Sequence, residues 1–269
     1  MTDQTADIAV IGGSGFYELF DDADTVTLGT PYGMPSGAIT VGQIDGRRVA
    51  FLPRHGQDHR FPAHRINYRA NLWALRQLGV RQVLAPCAVG SLRADLGPGT
   101  IAVPDQVVDR THGRISTFYD DGAVHVSFAD PYCPAGAEAV SKAGTVIGDP
   151  PTLGGTMVVI QGPRFSSRAE SQWYASCGWS MVNMTGMPEA VLARELALCY
   201  TPIALVTDVD AGIDADTSVT QTEVFAMFAR NIDRLRALVL QTIPHLPVSR
   251  DCDCPTALDG LHSNLRLPG

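Results

Sequence analysis

Two aspartates, Asp208 and Asp210, close an apolar run that reads Ile203-Ala-Leu-Val-Thr-Asp-Val-Asp. Side chains i and i+2 of a strand point to one face, so both carboxylates share one site if the strand persists that far. A shorter run from Ser180 ends in Asn183, Met184 and Thr185, which supply an amide, a thioether and a hydroxyl. Burying one carboxylate beside another raises one pKa of the pair and makes a proton donor. An Asp-x-Asp at a strand end also suits a metal or a loop cap. No third carboxylate is placed to complete a hard-metal shell, so metal is the weaker branch.

Other residues suit an anion. Pro53-Arg54-His55-Gly56 follows an apolar run, and a guanidinium beside an imidazole makes charge-assisted bonds to phosphate. Gly12-Gly13-Ser14-Gly15 offers bare backbone N–H groups and the Ser14 hydroxyl, either as an anion cradle or as a plain tight turn. A dinucleotide fingerprint begun at Gly13 needs glycine at position 18, where Glu18 stands, so NAD is disfavoured. Cys87-Ala88-Val89-Gly90-Ser91 is a run of small residues that lets backbone approach a ligand.

The elements that must position these groups alternate. Strands are expected at the first glycine turn, at 80–90, at 100–103 and at 155–161, with helices at 67–78, 167–178, 189–198 and 219–243. Asp45-Gly46 marks a hairpin between 36–43 and 47–52. Ser167 and Glu170 have capping-box spacing, and Pro188 suits a first helical turn. Val224, Phe228, Ile232, Leu235 and Val239 trace one buried helical face. The stretch 109–134 reads as a long loop, and loops of that length are commonly functional or interfacial. The pattern gives a single α/β domain over 1–269, a mixed central sheet flanked by helices, with a core at 7–243 and a surface tail at 244–269. In a parallel βαβ unit the strand ends at Asn183 and Asp208 meet on one edge of the sheet, where open α/β proteins bind ligands.

Composition limits the function classes. The chain has 269 residues, 45% of them hydrophobic, and a net charge of −8; mean hydropathy is near zero at +0.04. A large core is expected, and disorder and nucleic-acid binding are not. No basic-then-apolar leader and no membrane-length apolar run appear, so a cytoplasmic protein is expected. Of six cysteines, Cys87, Cys133, Cys177 and Cys199 are scattered and read as small core residues. Cys252-Asp253-Cys254 is half a zinc site, or a labile bridge, with His245 or His262 as the nearest other ligands.

The motifs Ile11-Gly-Gly-Ser-Gly, Pro53-Arg-His-Gly, Asn67-Tyr-Arg-Ala-Asn-Leu-Trp, Gly90-Ser-Leu-Arg, Gly162-Pro-Arg-Phe-Ser-Ser, Asn183-Met-Thr and Thr207-Asp-Val-Asp occur in order from Ile8 to about Ile243. Together the chain resembles the 5′-methylthioadenosine branch of the trimeric purine nucleoside phosphorylase family. The resemblance implies phosphorolysis, in which nucleoside and phosphate give a free purine and a sugar 1-phosphate. It implies a homotrimer, no cofactor and no metal, with inorganic phosphate as co-substrate.

By the same resemblance Ser14, Arg54, His55, Cys87, Ala88 and Thr185 hold phosphate. Ser14 and Cys87 stand where relatives carry Thr. Phe165, Ser166, Asn183, Met184, Asp208 and Asp210 face the nucleoside, with Asp208 as proton donor at N7. Val224 and Gln221 close the 5′ end, and His125 reaches a neighbouring subunit's pocket. Gln221 is polar where methylthio enzymes tend to be apolar. A carboxylate accepts from a 6-amino group and repels a 6-oxo group, so adenine-type nucleosides are expected over inosine.

Overall fold

Strand β1 (Ile8–Gly12) is buried along its whole length, as a strand covered on both faces must be. Its side chains alternate between two hydrophobic clusters: Ala9 and Ile11 in one, Ile8 and Val10 in the other. The computed structural model describes residues 5–13, 16, 18–20, 23–122, 124–211, 220–261 and 266–268.

After β1 come β2 (Asp24–Val26), β3 (Ile39–Ile44), β4 (Arg47–Pro53), α1 (Tyr68–Gln77), β5 (Gln82–Ser91), β6 (Ile101–Val103) and β7 (Gln106–Arg110). The second half runs α2 (Pro134–Ile147), β8 (Thr152–Leu153), β9 (Thr156–Ile160), α3 (Arg168–Ser176), β10 (Met181–Asn183), α4 (Gly186–Glu195), β11 (Cys199–Val209) and α5 (Gln221–His245). One mixed sheet runs β2-β3-β4-β1-β5-β10-β9-β7, with β11 beside β5 and β6, and β8 beside β6. Helices α1 and α4 cover one face, and α2 and α5 the other. This is the expected α/β class. Among the described residues no helix is long and apolar enough to cross a membrane.

Local rules place several elements. Asp45 and Gly46 both have positive φ and join β3 to β4, pairing Ile44 with Arg47, as a two-residue hairpin requires. Asn67 caps α1 by accepting from the Ala70 N–H. Ser167 and Glu170 form the full reciprocal capping box at α3. In α5, Phe228, Leu235 and Val239 are buried, whereas Val224 and Ile232 are half-buried.

Three expectations change. The loop expected from Asp109 begins two residues later, because β7 pairs with β9 through Arg110. Helix α2 was not foreseen. The tail does not lie wholly on the surface: Leu246 and Cys254 are buried, Gln82 donates to the Pro247 carbonyl, and Arg250 donates to the Ala197 carbonyl.

The sheet divides at β5. One edge of β5 runs beside β11 from Gln82 to Ser91. Its other edge meets β1 only over Gln82–Leu84, and β10 only at Gly90 and Ser91. Between these partners the edge has no strand neighbour among the described residues. Pro86 lies in this gap, where a residue without an N–H leaves less backbone to satisfy.

Candidate active site

The gap in β5 opens into a cavity of about 310 Å³ at the ends of β4, β5, β10 and β11. Its floor is backbone. The Pro86 carbonyl accepts from Arg54 Nη1 at 3.0 Å, and the Ala88 carbonyl from Asn183 Nδ2 at 2.9 Å. A strand residue turns its N–H and C=O to the same edge, so the Ala88 N–H also faces the cavity. A Cβ at Gly13 would lie 2.9 Å from the Pro86 oxygen and 3.1 Å from Arg54 Nη1, so only glycine fits there.

Arg54 is buried, and its charge is balanced. Nε and Nη2 reach the two oxygens of Glu189 at 2.7 and 2.8 Å. Glu189 also accepts from Tyr200 at 2.6 Å. Three of the five guanidinium N–H bonds are thus committed, leaving one on each terminal nitrogen for a ligand. Although burial opposes the charged form, Glu189 holds the guanidinium pKa above its ordinary value.

His55 is neutral. Burial is the largest cause that brings its pKa down to about 3, followed by the neighbouring His59 ring. The two imidazoles stack with centroids 4.0 Å apart. His55 Nδ1 lies 2.8 Å from the Phe61 carbonyl, which can only accept, so Nδ1 carries the proton. Nε2 is then an acceptor, suited to the hydroxyl of monohydrogen phosphate rather than to a bare oxyanion. The Arg-His clamp expected from sequence is therefore a neutral His beside an ion-paired Arg.

Cys87 and Thr185 complete this end. Burial pushes the Cys87 thiol up to about 12, which leaves it a neutral, weak donor. Thr185 also lines the cavity, and its hydroxyl makes only a long 3.4 Å bond to Asn183 Oδ1. Ser14 lies outside the described residues.

Asn183 lines the cavity but is committed within the fold. Its Oδ1 accepts from the Thr185 and Gly186 N–H groups at 2.7 and 2.6 Å. With its bond to Ala88, it fastens the start of α4 to β5.

The opposite end holds the carboxylates. A register shift between Val206 and Asp208 sets Asp208 against Gly90 and Val209 against Ser91. Asp208 and Asp210 both line the cavity. A Cβ at Gly90 would fall 2.8 Å from Asp208 Oδ1, so a bare backbone makes room for that oxygen. Thr207 donates to Asp208 Oδ2 at 2.8 Å. The Asp208 carboxyl pKa rises to about 6, chiefly by burial, with the Thr207 bond opposing and the Asp210 charge adding less. Burial, rather than the neighbouring acid that the Asp-x-Asp pattern suggests, is thus the main cause. Asp210 is also raised by burial, while Ser171 donates to its Oδ2 at 2.7 Å.

Ser166 is buried beside Asp210 and helps to hold its carboxylate charge, but its hydroxyl makes no well-formed hydrogen bond. Such a group costs about 1–3 kcal/mol unless a ligand or water satisfies it. Phe165 and Met184 form apolar walls, and Gln221, Val224 and Phe225 at the start of α5 close the remaining side with His59. His59 meets the Phe225 ring edge-on at 5.8 Å. His125 is exposed and is not part of this cavity.

Sequence reasoning missed Glu189, Ser171, His59 and Arg114. Glu189 reads locally as an ordinary acidic residue in the first turn of a helix. Arg114 donates to the Met184, Met187 and Gln161 carbonyls at 2.9, 2.6 and 2.6 Å, bracing the wall from behind. Nothing local in the sequence marks it. The unusual Pro in the middle of β5 was the available sign of the split edge.

Known proteins resemble this chain over nearly its whole length. The chain is 56% identical to a Streptomyces coelicolor protein named purine nucleoside phosphorylase, covering 98% of each chain. It is 57% identical to an S-methyl-5′-thioadenosine phosphorylase of Mycolicibacterium smegmatis, covering 97% of this chain and 98% of that one. The solved methylthioadenosine phosphorylase of Schistosoma mansoni, in complex with adenine, superposes with a TM-score of 0.86 at 35% identity, covering 89% and 91% of the two chains. The Phosphorylase superfamily profile matches residues 7–244, the span that builds both the split sheet and the cavity within it; the chain belongs to that superfamily.

Proposed function

We propose that the chain catalyses phosphorolysis of 5′-methylthioadenosine to adenine and 5-methylthioribose 1-phosphate, with adenosine a weaker substrate. The observation that carries this is the base end of the cavity, where two buried carboxyls of raised pKa stand beside the buried Ser166 hydroxyl. A protonated Asp208 donates to N7 while its other oxygen accepts from the 6-amino group. Ser166 supplies a further hydrogen bond to the base.

In the reaction a phosphate oxygen bonds to C1′ as the C1′–N9 bond breaks. The electron pair leaves with the purine, and the Asp208 proton neutralises it. Phosphate also balances the cationic sugar. Thr185, the Ala88 N–H and the free N–H bonds of Arg54 donate to it, Cys87 packs beside it, and His55 Nε2 accepts its hydroxyl, which fixes its direction of attack. Ser14 is assigned to the same anion from the sequence. Phe165 and Met184 pack on base and ribose, and Val224 covers the 5′ substituent.

A homotrimer, in which His125 reaches a neighbouring subunit's cavity, fits the exposure of that side chain. We further propose a cytoplasmic enzyme that needs neither cofactor nor catalytic metal, and that binds small molecules rather than nucleic acid or membrane. A 6-oxopurine phosphorylase on the same fold is the weaker reading, because the Asp208 oxygen that would accept from a 6-amino group, together with the Asp210 carboxylate, would repel O6.

Initial rates of base release from 5′-methylthioadenosine and inosine, each with and without phosphate, test this. Phosphate-dependent release of adenine alone is expected. Faster release of hypoxanthine would overturn the substrate, and phosphate-independent turnover would overturn the reaction.

A further inference from the structure

Far from the cavity, four thiols converge. The sulfurs of Cys133, Cys199, Cys252 and Cys254 all lie within 4.8 Å of one another. Cys252 Sγ is 3.7 Å from Cys133 Sγ and 3.5 Å from Cys199 Sγ. All four are free thiols, and three are buried. They come from three parts of the chain: the N-cap of α2, the first residue of β11, and the tail.

The gaps of 3.5 and 3.7 Å at Cys252 are those of a ligand shell. Sulfurs held about 2.3 Å from a tetrahedral zinc ion stand about 3.8 Å apart, whereas bonded sulfurs lie about 2.05 Å apart. Four sulfur ligands select a soft or borderline ion and disfavour calcium or magnesium. Cys133 ends at the positive pole of α2, which stabilises thiolate. Other bonds bring the tail here, through Gln82 to Pro247 and Arg250 to Ala197 at 3.0 and 2.9 Å.

We propose that Cys133, Cys199, Cys252 and Cys254 bind one zinc ion in a closed tetrathiolate site that fastens the C-terminal segment to the sheet. Binding replaces four thiol protons by one Zn²⁺, with no change in oxidation state. The role is structural. Cys199 and Asp208 stand at opposite ends of β11, about 30 Å apart at the rise of a strand.

The test uses the full chain, expressed with added zinc and purified under reductant. Metal is counted by mass spectrometry, and thiols are counted after unfolding in chelator. About one zinc per chain and all six cysteines reactive are expected. The double variant Cys252→Ser, Cys254→Ser should lose the zinc, keep turnover within about twofold, and melt at least about 5 °C lower. Should that variant fail to fold, the wild-type metal and thiol counts decide alone. Less than about a tenth of an equivalent after dialysis against zinc chloride would overturn the proposal. So would only two reactive thiols, which would report two disulfides in place of the metal.

Discussion

Glu189 grips Arg54 through both carboxylate oxygens, with each side chain about 1% exposed. The pair sits beneath the phosphate end of the cavity, so the charge that sequence assigned to the substrate is already neutralised inside the protein. Breaking one partner of such a pair leaves a buried charge alone. Glu189→Gln is expected to cost about 3–5 kcal/mol in urea unfolding. A change under 1 kcal/mol would show that Arg54 finds compensation elsewhere.

Asp208→Asn should lower turnover of 5′-methylthioadenosine by roughly 10²-fold or more, the usual contribution of a positioned acid. The amide can donate to a 6-oxo group, so the ratio of inosine to adenosine turnover should rise. Steady-state rates on both nucleosides give the answer, and an unchanged ratio would remove Asp208 from base selection.

The pH profile follows from the same group. Its carboxyl titrates at about 6, and the acid form is the active one. Activity under kcat/KM conditions should therefore fall tenfold per pH unit above that value, and this limb should vanish in Asp208→Asn. Neutral His55, with its pKa near 3, adds no break between pH 5 and 8.

Raising Asp208 also has a cost in stability. A carboxyl whose pKa is higher folded than unfolded destabilises the fold as pH rises from about 4 through 6, because the folded protein holds the proton more tightly. At pH 7 Asp208→Asn should be more stable by up to about 3 kcal/mol, and the gain should disappear below about pH 4. Paired thermal melts at pH 4 and pH 7 measure it.

Ser166→Ala removes a buried hydroxyl whose only protein neighbour of note, the Asp210 carboxylate, is already bonded by Ser171. The variant should be as stable as the parent, or more so, while KM for the nucleoside rises by roughly tenfold. A stability loss with unchanged KM would mean that the hydroxyl is satisfied within the fold.

What was legible in the sequence was what local rules govern. The Asp45-Gly46 turn, the Ser167–Glu170 cap and the buried stripe of α5 each rest on residues close in the chain. The alternation of strands and helices placed Asp208, Asp210, Met184 and Thr185 on one sheet edge. Hidden were the partners that only the fold supplies. Arg54 meets Glu189 across the gap beside β5, and Asp210 meets Ser171 from α3. Likewise, Cys133 and Cys199 looked like isolated core thiols until α2 and β11 began at the same end of the sheet.

The divided edge of β5 turns one strand into a ruler. On the proposed reaction Ala88 would face the nucleophile and Gly90 the leaving group, two residues or about 7 Å apart. The span across which the glycosidic bond is exchanged is therefore graduated by the backbone itself rather than by mobile side chains. A nucleoside with a different 5′ substituent leaves that scale untouched and has to be accommodated on the far wall, at the first turn of α5. Drift in substrate range should thus collect at Gln221, Val224 and Phe225, while a one-residue insertion or deletion between Pro86 and Ser91 would put nucleophile and leaving group out of step.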